Sequence, residues 1–575
     1  MCHLLSLPYK VITIISHFCS VQDLVSWALT CRHFSGPILR ELYRINVRHY
    51  GNSALFWAAR ENRADLAAKI LEHTSDINVI GNGSTPFIKA AEFGSTDVVE
   101  PIIKRTALDI NLQLRGCSAL WIAASKGHSS VLWRLLQHPD IQIDQPGRAG
   151  LTPFAASVMQ GHFKVTKMLW DTGKVNVNHK AGNGQTPLLL ALERRNEALA
   201  HYLLEKPGVS LDCEDEYGNT PINRAVHYDL IPTVKLLLEK AKWLAKTEDS
   251  QGRTPLLIAV QNGRRDTARL LLDAGADPNS ADDQGQTPLS LALSHGKLMV
   301  ELLLCYGANV HELDSSEQGL LHKAVIYHCG EVIPTLLDHG ADINTTDEHG
   351  QTALGIAIDD GYHSAIRRLI ADKHVDLNTL SGGYPPLTLA ILNDQIATVR
   401  LLCAVSELNP NQLDYGAQTP LNAAIMYNKM DLMNVLLQRP DIQVNGIGPN
   451  VESPLLTAVD SWNRHAVQRL LQCSGINLND GSLLRAVRGA SLDIIDELLG
   501  AGCDVNVRGE CQTTALMEAA KMGFVKILGR LLQEHEVDVN AKDEKGRTWR
   551  REDIHQQILP WASLRLQHCP APGNS

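Results

Sequence analysis

The 575-residue chain lacks most of what announces chemistry. Its twelve cysteines include no C-x-x-C pair, which removes zinc ribbons and dithiol redox motifs. They are expected to be reduced thiols, many of them, such as Cys305 and Cys403, at positions that take small apolar side chains. Net charge is small for this size, −10 at pH 7, so there is no cationic footprint for nucleic acid. No run reaches the ~18 apolar residues of a membrane span. The apolar stretches near the start are interrupted by Pro8 and Lys10 with no basic segment ahead of them, unlike a secretory signal. These absences point to a cytoplasmic or nuclear protein with no nucleic-acid and no membrane partner.

Catalytic and cofactor motifs are equally scarce. Gly81-x-Gly83 and Gly182-x-Gly184 lack the third glycine of a dinucleotide fingerprint and read as turns. Gly296-Lys297 has Leu291 where a phosphate-cradling loop needs its first glycine. The 23 histidines form no H-E-x-x-H and no H-x-x-x-H pair. Gly127-His128 and Gly161-His162 instead hold a recurring turn at which the ring can hydrogen-bond backbone of a neighbouring unit. Carboxylates at Asp282-Asp283, Asp314, Asp347-Glu348 and Asp543-Glu544 sit before turn glycines, either as turn residues or as an acidic stripe for a basic partner. Asn82-Gly83-Ser84 and Asn344-Thr345-Thr346 match a glycosylation acceptor but fall where turns are needed. No catalytic residue, metal ligand or cofactor site is expected, and the chain does not read as an enzyme.

What is present is a period. Residues 251–279 read QGRTPLLIAVQNGRRDTARLLLDAGADPN. Thr254-Pro255 opens a helix, since proline at the first helical position loses only an amide that had no partner. The helix runs Leu256 to Gln261 and closes at Asn262-Gly263. A second helix, Thr267 to Ala274, turns Ala268, Leu270, Leu271 and Leu272 toward the first. Gly275 ends it, and Ala276 to Asn279 is read as extended. The frame returns about every 33 residues. Its helix-opening position is held by Ser53, Thr85, Ser118, Thr152, Thr186, Thr220, Thr254, Thr287, Gly319, Thr352, Pro385, Thr419, Ser453, Gly481, Thr514 and Thr548. Such a chain spreads its 44% hydrophobic content along stacked units instead of one centre, so length measures surface. Gly319-Leu320 and Cys329-Gly330 break the pattern and predict local weakness. The short step from Ser453 to Gly481 predicts a missing finger.

T-P-L-x-x-A followed by L-L-x-x-G-A-D-x-N, as in Thr287-Pro288-Leu289 and Gly340-Ala341-Asp342-Ile343-Asn344, resembles the ankyrin repeat. The resemblance implies an all-α solenoid of helix-turn-helix units with short β-hairpin fingers, about fifteen repeats over 51–545. Residues 546–575 would then be a truncated repeat, with Trp549 in place of proline, and a loose tail. Residues 1–50 stand outside the frame. Leu7-Pro8, the aliphatic positions Val11, Ile12 and Ile15, Asp23-Leu24, and Cys31-Arg32-x-Phe34 follow the order of an F-box, a small three-helix module. That resemblance implies docking of a Skp-type adaptor and cullin ligase through Leu7, Pro8, Ile12, Ile15 and Leu24. Lys10 departs from the glutamate usual in that family. Alternatively, these helices only cap the first repeat's apolar face.

Eight places after the helix-opening residue stand Phe93, Tyr228, Tyr327 and Tyr427, with Trp462 one place later. In ankyrin repeats this position faces the concave groove, so the resemblance implies rings displayed to an unknown protein substrate; packing on a neighbouring inner helix is the alternative. The expected function is substrate recognition for a Skp-cullin-F-box ubiquitin ligase, or, with capping helices only, a non-enzymatic interaction scaffold.

Overall fold

The computed structural model describes residues 53–72, 77–81, 83–448 and 451–548. The residues assigned to adaptor docking and everything after 548 lie outside the described residues. The chain divides into two compact bodies. One runs to Ala292 and includes Cys305–Ala308; the other holds Leu293–Leu304 and everything from Asn309. Among the described residues short helices pair antiparallel as inner and outer members, seven pairs in the first body from Ser53–Arg60 with Ala64–Leu71 to Pro255–Gln261 with Arg265–Asp273, and seven in the second from Leu320–Ile326 with Ile333–Asp338 to Ala515–Met522 with Val525–Leu531.

Each inner helix is written by local chemistry. Thr254 is extended, and its hydroxyl accepts the Leu257 amide at 3.3 Å, satisfying one of the donors a helix start leaves open. Pro255 follows at the first helical position. The helix stops after seven residues because the ninth place after the opener is left-handed. All fifteen such positions have positive φ. Seven are glycine, but Asn62, Arg195, Asp229, His328, Asp394, Asn428, Trp462 and Ala490 hold the same conformation with a side chain, at a cost of roughly 1–2 kcal/mol each.

Packing explains the rest of the pattern. Leu256, Leu257, Ile258, Ala259 and Val260 are all buried, so five consecutive residues of this inner helix are covered while Gln261 at its end is exposed. The fifth place after the opener is alanine from Ala58 to Ala519 with one exception, and always buried. Only a small residue lets inner and outer helices approach this closely, and added methylenes there would cost about 1–3 kcal/mol. The exception, Ser157, gives its hydroxyl to Phe154 O and shares a 2.8 Å bond with Thr166 Oγ1. Outer helices are amphipathic. Arg265–Asp273 buries Thr267, Ala268, Leu271 and Leu272. Leu270 is only half-buried, a correction to the sequence reading; it lies one helical step off the buried stripe. Pro278 and Asn279 lie in a turn and are not extended.

That turn asparagine makes a recurrent hydrogen-bonded tie between successive repeats. Asn344 Nδ2 donates to His374 O at 2.8 Å while its Oδ1 accepts the Asp376 amide at 2.7 Å. Asn78, Asn111, Asn178, Asn378, Asn411, Asn445 and Asn506 repeat this two-bond clamp one repeat onward. The acceptor-like Asn344 is thus engaged in the ladder.

The fingers are less regular than the expected β-hairpins. Among the described residues they carry single isolated bridges, such as Leu114 with Cys117 and Ser381 with Tyr384, and no multi-residue strand. Two residues of positive φ, Arg115 and Gly116, make the first a tight hairpin turn. Longer fingers are folded by an aspartate instead. Asp282 Oδ1 accepts the amides of Gln284 and Gln286, and Asp314, Asp347, Asp414 and Asp543 do the same in their own loops. With no helix-opening hydroxyl, Gly319 makes no side-chain cap, and a 3-10 turn, Gly330–Val332, precedes a six-residue outer helix, Ile333–Asp338. Cys305 is exposed and Cys403 half-buried, whereas among the described residues Cys213 and Cys503 are the buried thiols. Cys305 is the last residue of its outer helix, beyond the buried stripe.

Candidate functional site

The eighth place after each opener falls at or just beyond the end of the inner helix, where the chain is about to reverse. A side chain there has left the helix–helix contact. Phe93, Tyr327 and Tyr427, with Trp462 one place later, are 47%, 57%, 55% and 65% exposed, values that exclude packing in the core. Tyr228 is half-buried, flanked by the Arg195 guanidinium 4.8 Å from its ring centroid and by the edge of His227. Phe93 has Arg60 and Lys89 within 6 Å of its ring. Tyr427 and Trp462 come from adjacent repeats whose turns are joined by Asn463 Nδ2 donating to Asn428 Oδ1 at 2.9 Å.

The aromatic set is not a continuous row. Lys126, Gln160 and Arg194 hold the same place between Phe93 and Tyr228, and Asp360 and Asn393 hold it between Tyr327 and Tyr427. The amino-terminal body thus mixes rings with cations, and the carboxy-terminal body mixes rings with neutral and acidic groups.

Three rings were missed from sequence because they stand on fingers, not helices. Tyr217, Tyr384 and Tyr415 are exposed, Tyr415 almost completely. Their loops are fixed underneath. Asp215 Oδ1 accepts the Tyr217 and Asn219 amides at 2.9 Å, and Tyr415 N donates to Gly383 O of the preceding finger at 2.9 Å. The signal was available as Asp215-x-Tyr217-Gly218 and Asp414-Tyr415-Gly416, an aromatic inside an aspartate-folded loop. Burial opposes ionisation of Asp215, but the Arg224 guanidinium at 2.6 Å and the loop amides outweigh it and hold the carboxyl below its ordinary range. Loop folding therefore occupies the carboxylates at Asp282, Asp314, Asp347 and Asp543.

The histidines at the recurring turn bond as their position suggests. The His128 ring meets Glu92 O at 2.9 Å and the His162 ring meets Ser125 O at 3.1 Å, each reaching back to the preceding repeat. Among the described residues no group of three or more histidines, cysteines or carboxylates stands together as a metal site. No described helix is long and apolar enough to cross a membrane.

Among the described residues of the amino-terminal body, two of the cavities lie between fingers and inner helices. One, of about 560 Å³, lies between the finger residues Gly83 and Ser84 and the finger 114–117 and is lined by Lys89, Arg115, Lys126, Arg148 and Trp121. The other, of about 690 Å³, is lined by Tyr217, Asn223, Arg224, His227 and Arg253. In the second, Arg224 and Arg253 are each paired with a buried aspartate, Asp215 and Asp249.

Comparison with known proteins agrees with this architecture. A family model described as ankyrin repeats (3 copies) matches residues 55–146, 120–215, 207–282, 275–347, 321–414 and 483–549. Similar curated proteins include the ankyrin repeat domain-containing protein SAT10 of Stachybotrys chartarum, 28% identical over 33% of this chain and 10% of its own length. The putative ankyrin repeat protein L371 of Acanthamoeba polyphaga mimivirus is 24% identical over 44% of this chain and 32% of its own. The ankyrin repeat protein nuc-2 of Neurospora crassa is 28% identical over 40% and 19%. This chain therefore spans no more than about a third of the length of these relatives. Among solved structures, the ankyrin repeat domain of Bcl-3 is 28% identical, with TM-score 0.35, covering 39% of this chain and 99% of that one. Between 415 and 482, where the family model has no match, the structure still places two helix pairs, Pro420–Met426 with Met430–Leu436 and Pro454–Asp460 with Arg464–Leu471. With the repeats matched over most of its length, the chain belongs to the ankyrin repeat family.

Proposed function

We propose that the chain is a protein-binding scaffold whose contact surface is made by the ends of the inner helices and the finger tips. The observation that carries this reading is the exposure of large aromatic rings at fixed places of the repeat. Tyr327, Tyr427 and Trp462 stand at inner-helix ends, and Tyr384 and Tyr415 on fingers. Such rings offer large contact area at little conformational cost and dominate many interfaces. Tyr327→Ala and Tyr427→Ala should leave the thermal midpoint unchanged and reduce co-purification of bound proteins from cell extract. Unchanged recovery with both rings removed overturns it.

A finer reading adds a ligase. The order Leu7-Pro8, Ile12, Ile15, Leu24 supports docking of residues 1–50 on a Skp-type adaptor and cullin, which would make the repeats the substrate-holding arm. The scaffold would then act by raising the local concentration of a bound substrate, with no chemistry of its own. Leu7→Ala with Pro8→Ala should abolish adaptor recovery by the full chain while leaving its helical circular dichroism intact. Equal recovery from parent and variant leaves the scaffold reading alone. Lys10→Glu, which restores the charge usual in that family, should speed the association at low salt.

A further inference from the structure

We propose that the 560 Å³ cavity between the second and third repeats is a subsite for an acidic peptide segment of a partner protein; this rests on the scaffold reading above. Four cationic side chains, Lys89, Arg115, Lys126 and Arg148, line it against one carboxylate, Glu92. Glu92 is already engaged by Lys89 at 2.7 Å. Arg115, Lys126 and Arg148 are exposed, and among the described residues none has a carboxylate within ion-pair distance. This is opposite in sign to the whole chain, which carries −10. It also differs from the larger cavity of the same body, where both arginines are neutralised internally.

The cavity is built, not incidental. Gly83 has φ +73, and a Cβ there would come within 2.6 Å of the Arg115 guanidinium, so the glycine leaves the space in which that group lies. Arg115 itself sits at the tip of the tight finger turn, with φ 52. The Trp121 indole is held in place by donating from Nε1 to Leu151 O at 2.8 Å. Gly147 permits that close approach, since a Cβ there would meet the indole at 2.6 Å.

The mixture of groups selects the occupant. Unpaired cations in a partly walled cleft focus a positive field and attract carboxylates. Half-buried Ile122, with the small parts of Trp121 and Ile88 that reach the wall, suits the methylenes of a glutamate, which a bare inorganic anion lacks. The volume falls within the ~300–1,000 Å³ of sites that enclose small groups, room for acidic side chains and the main chain that carries them. Phe93, at the end of the same inner helix as Lys89, extends the contact surface beside it.

The test uses the full chain and a dye-labelled ten-residue peptide alternating glutamate and alanine, read by fluorescence anisotropy at low and moderate salt. The parent should bind it and should not bind the glutamine version. Arg115→Glu, Lys126→Glu and Arg148→Glu together should weaken binding at least tenfold, and the milder Arg115→Gln, Lys126→Gln and Arg148→Gln set severalfold. A control of equal charge change on the outer side, Lys164→Glu, Lys167→Glu and Lys174→Glu, should change affinity less than twofold. Failure of the parent to bind, equal loss in the control, or binding of an oligothymidylate of the same charge in place of the peptide overturns the proposal. Tyr327→Ala and Tyr427→Ala lie in the other body and should leave this readout unaltered. Loss of partner capture in those variants with a normal pocket, or the reverse, therefore separates the scaffold reading from the subsite.

Discussion

Gly127 and Gly523 hold the same left-handed place in their repeats, at φ 79 and φ 70, yet alanine should cost different amounts at the two. At either, an L side chain in this conformation costs roughly 1–2 kcal/mol, and the loss of unfolded-state freedom returns about 0.4–1 kcal/mol. At Gly523 a Cβ would meet nothing within 4 Å among the described residues, so the net effect should be about 1 kcal/mol or less. At Gly127 the Cβ would fall 2.6 Å from His162 Nδ1, and the ring must move. Moving it breaks the half-buried bond between His162 Nε2 and Ser125 O, adding about 0.5–1.5 kcal/mol. Gly127→Ala should therefore cost about 2 kcal/mol. A stack of repeats opens locally, so a global midpoint averages the effect away. Amide exchange by mass spectrometry over 119–136 and 153–170, against 515–531, reads it directly. The excess at Gly127 should disappear in a His162→Ala background. Equal losses at both glycines, or an excess that survives removal of the ring, would refute the inter-repeat role of the histidine.

Ala490→Gly should stabilise its repeat by about 0.5 kcal/mol or more, because alanine there has φ 55; slower exchange over 482–500 is the readout. Amides over 315–335 should exchange faster than those over 252–279, since Gly319 provides no cap and the following outer helix is short. Gly319→Thr should narrow that gap by about 1 kcal/mol, because its φ of −81 accepts a side chain and the nearest atoms to a Cβ are 3.6 Å or more away. Asp215 is held below the ordinary carboxylate range, so its stabilisation is complete above a pH of about 3.9. It should be lost as pH falls through the lower folded-state value. Acid-induced loosening over 214–228, followed by amide exchange, should be much reduced in Asp215→Asn.

The sequence alone determined the repeat, because each helix start is a local event. Threonine caps, proline fits the first helical position and glycine reaches the left-handed turn, all within about ten residues, as Thr254, Pro255 and Gly263 show. The same locality made the histidine turns legible, since Gly127-His128 and Gly161-His162 carry their signal in two adjacent residues. What lies a full repeat away was not legible. The asparagine ladder joins Asn344 to His374 and Asp376, and no window shorter than a repeat contains both ends. Leu270 looked like part of the buried stripe until the phase of the outer helix was known. The cationic cavity depends on the same distance. Lys89, Arg115, Lys126 and Arg148 come from three repeats, each unremarkable in its own segment. Only the stacking of one repeat on the next brings their charges together, and among the described residues Arg115, Lys126 and Arg148 are left without a carboxylate partner while Lys89 pairs with Glu92.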